Sequence, residues 1–264
     1  MVDLQLDRPH SARMYDYLLG GRTNFRADRE AVGAVLTVFP AALLSARANR
    51  EFMHRATRHL ATTGMRQFLD IGTGIPTPPN VHEVAQSVAP EARVVYTDND
   101  PIVLAHAAAL LRSRPRGRTA YVEADVTRPE DILSAPQLHG TLDLSQPVAV
   151  SLNALLHFVV DAQDPYGIVE RLTAGLVSGS TLTITHGTPD FAPDAMAGIT
   201  EVYTRAGTAL RYRTRAEIAR FFDGWELLDP GVVPTHRWRP DDPGDLDDIA
   251  DAEAGGYAAV ARKP

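Results

Sequence analysis

The spacing of apolar residues changes once along the chain, and the change divides it into two kinds of structure. From Ser11 to Thr62 the period is helical. Met14, Tyr15, Leu18 and Leu19 share one face of a first helix that Ser11 can cap and the pair Gly20-Gly21 ends. A second helix starts near Asp28, carries Val32, Val35 and Leu36, and stops at Pro40; a third spans roughly Ala41 to Thr62, before Gly64.

After Gly64, short apolar runs of strand length alternate with helical stretches. Gln67 to Ile71, Arg93 to Thr97, Thr119 to Glu123, Pro147 to Leu152 and Ser180 to Thr185 read as strands. Helices are predicted from about Asn80 to Val88, from Pro101 to about Leu111, and around Ile168, Leu172 and Leu176. Alternation of this kind implies right-handed crossovers and a parallel sheet covered on both faces. The tail differs: Trp225 to Leu228 and Tyr257 to Ala261 are strands joined by a Pro/Asp-rich loop with no helical pattern. Such a connection permits an antiparallel pair that closes the sheet.

Composition narrows the chemistry. The 264 residues include no cysteine, and Lys263 is the single lysine. Thiolate nucleophiles, cysteine metal sites, a P-loop and a Schiff-base lysine are thereby excluded, and no metal site is expected. The formal net charge is -7, and the seven acids between Asp241 and Glu253 equal all of it. That run reads as a solvated acidic loop in preference to a docking or metal-binding tail. No basic stripe with interleaved aromatics marks a nucleic-acid partner. The start has neither a basic nor an apolar leader pattern, and the most apolar segment, Ala31 to Ala46, is broken by Gly33, Thr37 and Pro40. A cytoplasmic location and no membrane partner are therefore expected.

Candidate chemistry gathers at Asp70-Ile71-Gly72-Thr73-Gly74. Open parallel sheets bind ligands at the carboxyl ends of their strands, where glycine lets the backbone approach the ligand. A dinucleotide fingerprint would continue to a third glycine, but Thr77 stands there and Pro76, Pro78 and Pro79 crowd the turn. Asp70, just ahead of the first glycine, suits a ligand carrying an ammonium group better than a pyrophosphate. Asp98 ends the second strand about 20 residues beyond the glycines, where a carboxylate can accept from both ribose hydroxyls. Asp125 ends the third strand and Asn153 follows the fourth. Singly, each could be a turn former or a helix cap. Three carboxylates at successive strand ends beside Gly-x-Gly point to a nucleoside ligand.

With these residues in place, the chain resembles the class I S-adenosylmethionine-dependent methyltransferases. More narrowly, it is similar to the actinobacterial S-adenosyl methyltransferase family that was formerly a domain of unknown function. The similarity is carried by Ala12 to Gly21, Asn24 to Glu30, Phe68 to Thr77 with Asn80 to Val84, Val94 to Leu104, and Asp164 to Val169. It implies a Rossmann-like α/β sheet of order 3-2-1-4-5-7-6 with the last strand antiparallel. Residues 1–64 would form a helical cap that belongs to the same unit as the S-adenosylmethionine-binding domain, 65–264. It further implies that Asp70, Gly72, Thr73 and Gly74 hold the methionine moiety and Asp98 the ribose. Asn99 would lie on the adenine face, Asp125 and Val126 on its edge, and Asn153 and Ala154 at the methionine end. Pro78-Pro79 departs from the more polar loop expected of the family and stiffens it.

The cap would bring Tyr15 and Asn24 over the cofactor; alternatively Tyr15 packs between helices and Asn24 makes a turn. Methyl transfer is an in-line displacement that needs positioning, and a base only where the acceptor must lose a proton. His157 and Tyr15 are the candidates, with His82 and His157 otherwise read as structural. Residues 186–215, including Tyr203, Arg211, Tyr212 and Arg213, are expected to wall the acceptor, a small molecule of unknown identity, or else to form a packed helix with exposed arginines. Two alternatives share much of this pattern: a non-catalytic S-adenosylmethionine or S-adenosylhomocysteine sensor, and an NAD-dependent dehydrogenase. Nothing in the sequence fixes the oligomeric state.

Overall fold

The computed structural model describes residues 6–110, 113–241 and 249–264. Three helices come first: α1 (Ser11–Leu18), α2 (Arg26–Val38) and α3 (Ala42–Thr62). The alternating part follows with β1 (Gln67–Ile71), α4 (Val81–Val88), β2 (Arg93–Asp98), α5 (Pro101–Leu110), β3 (Arg118–Glu123), α6 (Pro129–Leu133), α7 (Pro136–Thr141), β4 (Ala149–Asn153), α8 (Pro165–Ala174) and β5 (Thr181–Gly187). The last stretch contains α9 (Pro193–Arg205), α10 (Arg215–Ala219), β6 (Glu226–Leu227), β7 (Val233–Pro234), α11 (Asp251–Ala254) and β8 (Gly256–Arg262).

The strands make one sheet of order β3-β2-β1-β4-β5-β8-β6, with β7 pairing β8 off that path. From β3 to β5 every pairing is parallel, and β8 runs antiparallel to β5 from Thr181 opposite Arg262 to Gly187 opposite Gly256. The expected closing strand is therefore present. It is flanked by two short strands instead of one, because Val233 and Pro234 also pair with Ala258 and Tyr257.

Period-two alternation divides the core between the two faces of the sheet. Leu69, Ile71, Val95, Val150, Leu152 and Ile184 point to the face covered by α6, α7, α8 and α10, where Ile132, Leu138, Ile168 and Ile218 meet them. Phe68, Val94, Tyr96, Ala149 and Val260 point to the other face, against Phe52, Ala56 and Leu60 of α3 and Val81 and Ala85 of α4. A third cluster joins α1 and α2 to α9 through Met14, Val32, Val35, Phe39, Met196 and Ile199. The N-terminal helices thus share their apolar contacts with an element from the far end of the chain. Among the described residues no single helix is long and apolar enough to cross a membrane; α2 and α3 pass that test only as a pair bent by 103°.

The longest helix is tied to the tail through a buried arginine. The Arg55 guanidinium donates to the carbonyls of Trp238 (3.0 Å) and Thr235 (2.8 Å), and the Trp238 ring, fully buried, meets Phe52 edge-on at 5.4 Å. Deleting a buried indole of this kind costs about 3–5 kcal/mol. Trp238→Ala is expected to lower unfolding stability by about that amount in urea titration, whereas Leu227→Ala, at an exposed position on the edge strand, should change it by less than about 0.5 kcal/mol.

Candidate functional site

In this strand order the chain reverses its direction of growth between β1 and β4, and open sheets leave a crevice at such a point. A cavity of about 240 Å³ lies there, far larger than the roughly 15 Å³ that accommodates a single water. Its floor is the carboxyl edge of the sheet: Asp98 on β2, Asp70 to Gly74 on and after β1, Asn153 and Ala154 at the end of β4, and Thr185 to Gly187 on β5. Its other walls include α1, α2, α3 and α9, the turn after β4 that carries His157 and Phe158, and Tyr212.

The glycine loop takes its shape from two left-handed residues. Gly72 has φ 73° and Gly74 φ 66°, a region that side chains with a Cβ disfavour. The Gly72 and Thr73 amides donate to the Thr97 carbonyl, and the Gly74 amide donates to Asp98 Oδ2 at 2.8 Å. The other Asp98 oxygen accepts from the Asp100 amide at 3.0 Å. The ribose candidate is therefore braced on both oxygens. Burial raises its pKa above the ordinary value for aspartate, against the lowering effect of these two amides.

Asp70 faces the crevice from β1 and is bridged to β4. It accepts from Ser151 Oγ (2.6 Å) and from Thr73 Oγ1 (2.6 Å), and burial raises its pKa. Across the crevice Asn153 Oδ1 is buried with no hydrogen-bond partner among the described residues, an acceptor that a ligand could satisfy. Ala154 is held at φ 51°, strained for a residue with a Cβ, by its amide, which donates to Thr185 Oγ1 at 2.8 Å.

Two of the expected binding residues do not line the cavity. Asn24 donates to Asp16 Oδ2 and to the Gly21 carbonyl, and its own oxygen accepts from Arg29, so its amide is committed to the turn after α1. Asp125 is not in the wall although Ala124 and Val126 are. Burial raises its pKa, but the Thr127 amide and hydroxyl and the Asn99 amide donate to it and bring it below the ordinary value. What Asp125 does directly is fix Asn99, which does line the cavity.

The candidate bases also separate. Tyr15 lines the cavity, yet its hydroxyl donates to the Ala46 carbonyl (3.1 Å) and accepts from Asn49 (2.6 Å), and burial raises its pKa. His157 has neither ring nitrogen hydrogen-bonded among the described residues, and its Nδ1 is buried. Burial, then His186 and Arg213, hold its pKa well below that of a free imidazole, so it is neutral. His82 is structural: it is buried away from the cavity, with Nδ1 at 2.9 Å from the Tyr96 hydroxyl.

Arg213, expected in the acceptor wall or else among exposed arginines, does not line the cavity and is 1% exposed. It donates to the Leu156 and Val159 carbonyls, to His186 Nε2 and to Asp161 Oδ1, and so fixes the short turn that carries His157. Since His186 Nε2 accepts from Arg213, its hydrogen sits on Nδ1, which donates to the Gly187 carbonyl. Burial pushes the His186 pKa down to about 3.

Sequence reasoning missed Arg50 and Asn49. Both lie on the face of α3 that also carries Ala42, Ala46 and Met53, and all five line the cavity. A polar pair at positions i+7 and i+8 of an otherwise apolar stripe was the available signal. Arg50 donates to the Thr77 and Pro79 carbonyls, its Nε is buried without a partner among the described residues, and burial lowers its pKa. Of the acidic run, Asp241 pairs with Arg58 and Asp251 with Arg237, while 242–248 lie outside the described residues. Among the described residues no group of three or more potential metal ligands occurs.

The sequence profile described as S-adenosyl methyltransferase matches residues 1–264. Comparison with the curated proteins gives no match. Among solved structures the chain is similar to a DUF574 family protein from Streptomyces avermitilis, with 52% identity, a TM-score of 0.97, and coverage of 99% of this chain and 100% of that one. It is also similar to a candidate methyltransferase from Thermobifida fusca, with 40% identity, a TM-score of 0.90, and coverage of 98% and 97%. In fold alone it is similar to the plantazolicin methyltransferase BpumL in complex with SAH, at 11% identity, a TM-score of 0.52, and coverage of 96% and 95%. The chain, with its methyltransferase sheet order and strand-end cavity, belongs to the S-adenosyl methyltransferase family, whose cofactor is S-adenosylmethionine.

Proposed function

We infer that this protein transfers a methyl group to a small molecule held in the same cavity as the cofactor. The observation that carries the reading is the order of chemistry along the sheet edge. Asp98 and Asn99 lie at β2, Asp70 at β1 feels the opposite charge of Arg50 from α3, and an aromatic compartment extends beyond β4 and β5. A nucleoside joined to an amino acid zwitterion fits the first two parts. Asp98 would accept from the ribose, Asp70 and Arg50 would hold the ammonium and carboxylate, and Asn99, Ala124 and Val126 would contact the base. Gly72, Thr73, Gly74, Asn153 and Ala154 would line the middle. Residues 1–64 act in this reading as the cap that closes the cavity, through His10, Tyr15 and Arg50.

When bound, S-adenosylmethionine supplies an electrophilic methyl on a sulfonium. The chain's own task is to hold the acceptor in line with that methyl and to keep water out. The apolar wall of Phe39, Met196 and Ile199 excludes water. His157 is better placed than Tyr15 to take a proton, since the Tyr15 hydroxyl already has two partners. The compartment beyond the cofactor residues favours catalysis over sensing, because a sensor has no use for it. The missing third glycine at Thr77 and Asp70 beside the loop speak against NAD.

Asp98→Ala is expected to weaken S-adenosylhomocysteine binding by roughly 10- to 100-fold in titration calorimetry while the melting temperature changes little; Asp98→Asn, which keeps the side chain's size, should show the same direction. Unchanged affinity in both variants, or tighter binding of NAD than of S-adenosylhomocysteine, would overturn the reading. The pH dependence follows from Asp70. Binding an ammonium requires the carboxylate, so affinity should rise with pH through the raised pKa of the free protein's Asp70 and then level off. The loss on acidification should begin above the pH at which an ordinary aspartate protonates. Asp70→Asn should flatten that limb, and an unaltered pH profile in the variant would contradict the assignment.

A further inference from the structure

The charged side chains lining the cavity are Arg50, Asp70 and Asp98, among the described residues, and all three lie on the cofactor side. None comes from β5, from α9 or from the segment around Tyr212. The compartment at that end is built from Phe39, Met196 and Ile199 together with Phe158, Tyr203 and Tyr212. His157 sits among these rings, with centroids 4.4 Å from Phe158 and 5.9 Å from Tyr212. Its neighbour His186 is committed to Arg213 and to the Gly187 carbonyl, and both terminal nitrogens of the Arg213 guanidinium are engaged, by two carbonyls, His186 and Asp161. No formal charge therefore faces the compartment.

Three polar groups in it have no hydrogen-bond partner among the described residues: the imidazole of His157 and the hydroxyls of Tyr203 and Tyr212. His157 Nδ1 is sealed from solvent, whereas Nε2 and the two hydroxyls, on residues that line the cavity, are not fully buried. Burial raises the pKa of both tyrosines, so they remain neutral hydroxyls. An ammonium or carboxylate placed here would be buried with no counter-charge, which is costly. A flat, uncharged ring bearing a hydroxyl satisfies both the aromatic wall and the unpaired groups.

On the methyl-transfer reading given above, we propose that the acceptor is an uncharged aromatic hydroxyl compound, bound between Tyr203 and Tyr212 with its O–H directed at His157 Nε2. The acceptor oxygen forms the new bond to the methyl carbon, and the carbon–sulfur bond breaks with its electron pair kept by sulfur. The hydroxyl proton passes to Nε2 of the imidazole tautomer that carries its hydrogen on Nδ1. His157 then bears the positive charge that the sulfonium loses, so the cavity's total charge is unchanged by the transfer. Its depressed pKa returns the proton readily to water once the products leave.

The test uses the full-length protein saturated with S-adenosylhomocysteine and three probes of similar shape: neutral 2-naphthol, anionic 2-naphthoate and cationic 2-naphthylmethylamine. Titration calorimetry near neutral pH should show 2-naphthol binding about tenfold or more tightly than either charged probe. The double variant Tyr203→Phe/Tyr212→Phe and the variant His157→Gln should each weaken 2-naphthol, with S-adenosylhomocysteine affinity retained as the control for folding. With S-adenosylmethionine, 2-methoxynaphthalene should form and should fall sharply in His157→Gln. Equal or tighter binding of a charged probe, or 2-naphthol affinity and methylation unaffected by these substitutions, overturns the proposal while leaving methyl transfer standing. Failure of the wild-type protein to bind S-adenosylhomocysteine overturns both.

Discussion

Between β1 and β4 two parallel neighbours carry the chain away in opposite directions, and no crossover can cover the gap at their carboxyl ends. The rest of the molecule is arranged around that gap. Ser151 donates to Asp70 at 2.6 Å and so ties the gap's two sides together where β1 and β4 pair. The left-handed glycines on one side and the strained Ala154 on the other turn the backbone away from the opening. Because the strands on either side are fixed in register, chemistry placed at their ends stays in a fixed order along the edge.

That order separates two electrostatic environments within one cavity. At β1 and β2 the wall carries Asp70, Asp98 and Arg50, where a zwitterion and a ribose can each find partners. At β5 and α9 the wall is neutral and aromatic, and the one arginine nearby is turned into carbonyls, a histidine and Asp161. The N-terminal segment serves both environments, since α3 supplies Arg50 to the first and Phe39, just after α2, lines the second. Its apolar contacts with α9 explain how a segment from the start of the chain closes over strand ends formed much later in it.

Most of the sheet was legible because the central strands β1, β2 and β5 are buried on both faces and read as compact runs, whereas β3 at the edge is only partly covered. The glycine loop was legible for a similar reason: few other functions place Asp-x-Gly-x-Gly directly after such a run. What escaped depended on distant parts of the chain. Val233-Pro234 is too short to show a period, and pairs only because β8 offers it an edge. Asn24 looked available, but Asp16 and Gly21 take up its amide in a turn that periodicity cannot reveal. Arg50 looked like an ordinary helix residue until the Thr77 and Pro79 carbonyls placed it beside Asp70. Arg213 looked exposed for the same reason: its partners lie about 27 to 57 residues away in sequence.

A crystal structure of the protein with S-adenosylhomocysteine tests the central claim most directly, because it reads the order of chemistry along the sheet edge. The account predicts ribose hydroxyls on Asp98, the amino acid group between Asp70 and Arg50, and the sulfur directed toward the compartment of His157, Tyr203 and Tyr212. A ligand bound elsewhere, or one lying in this cavity with its adenosine over β5 and its amino acid group away from Arg50, would contradict it.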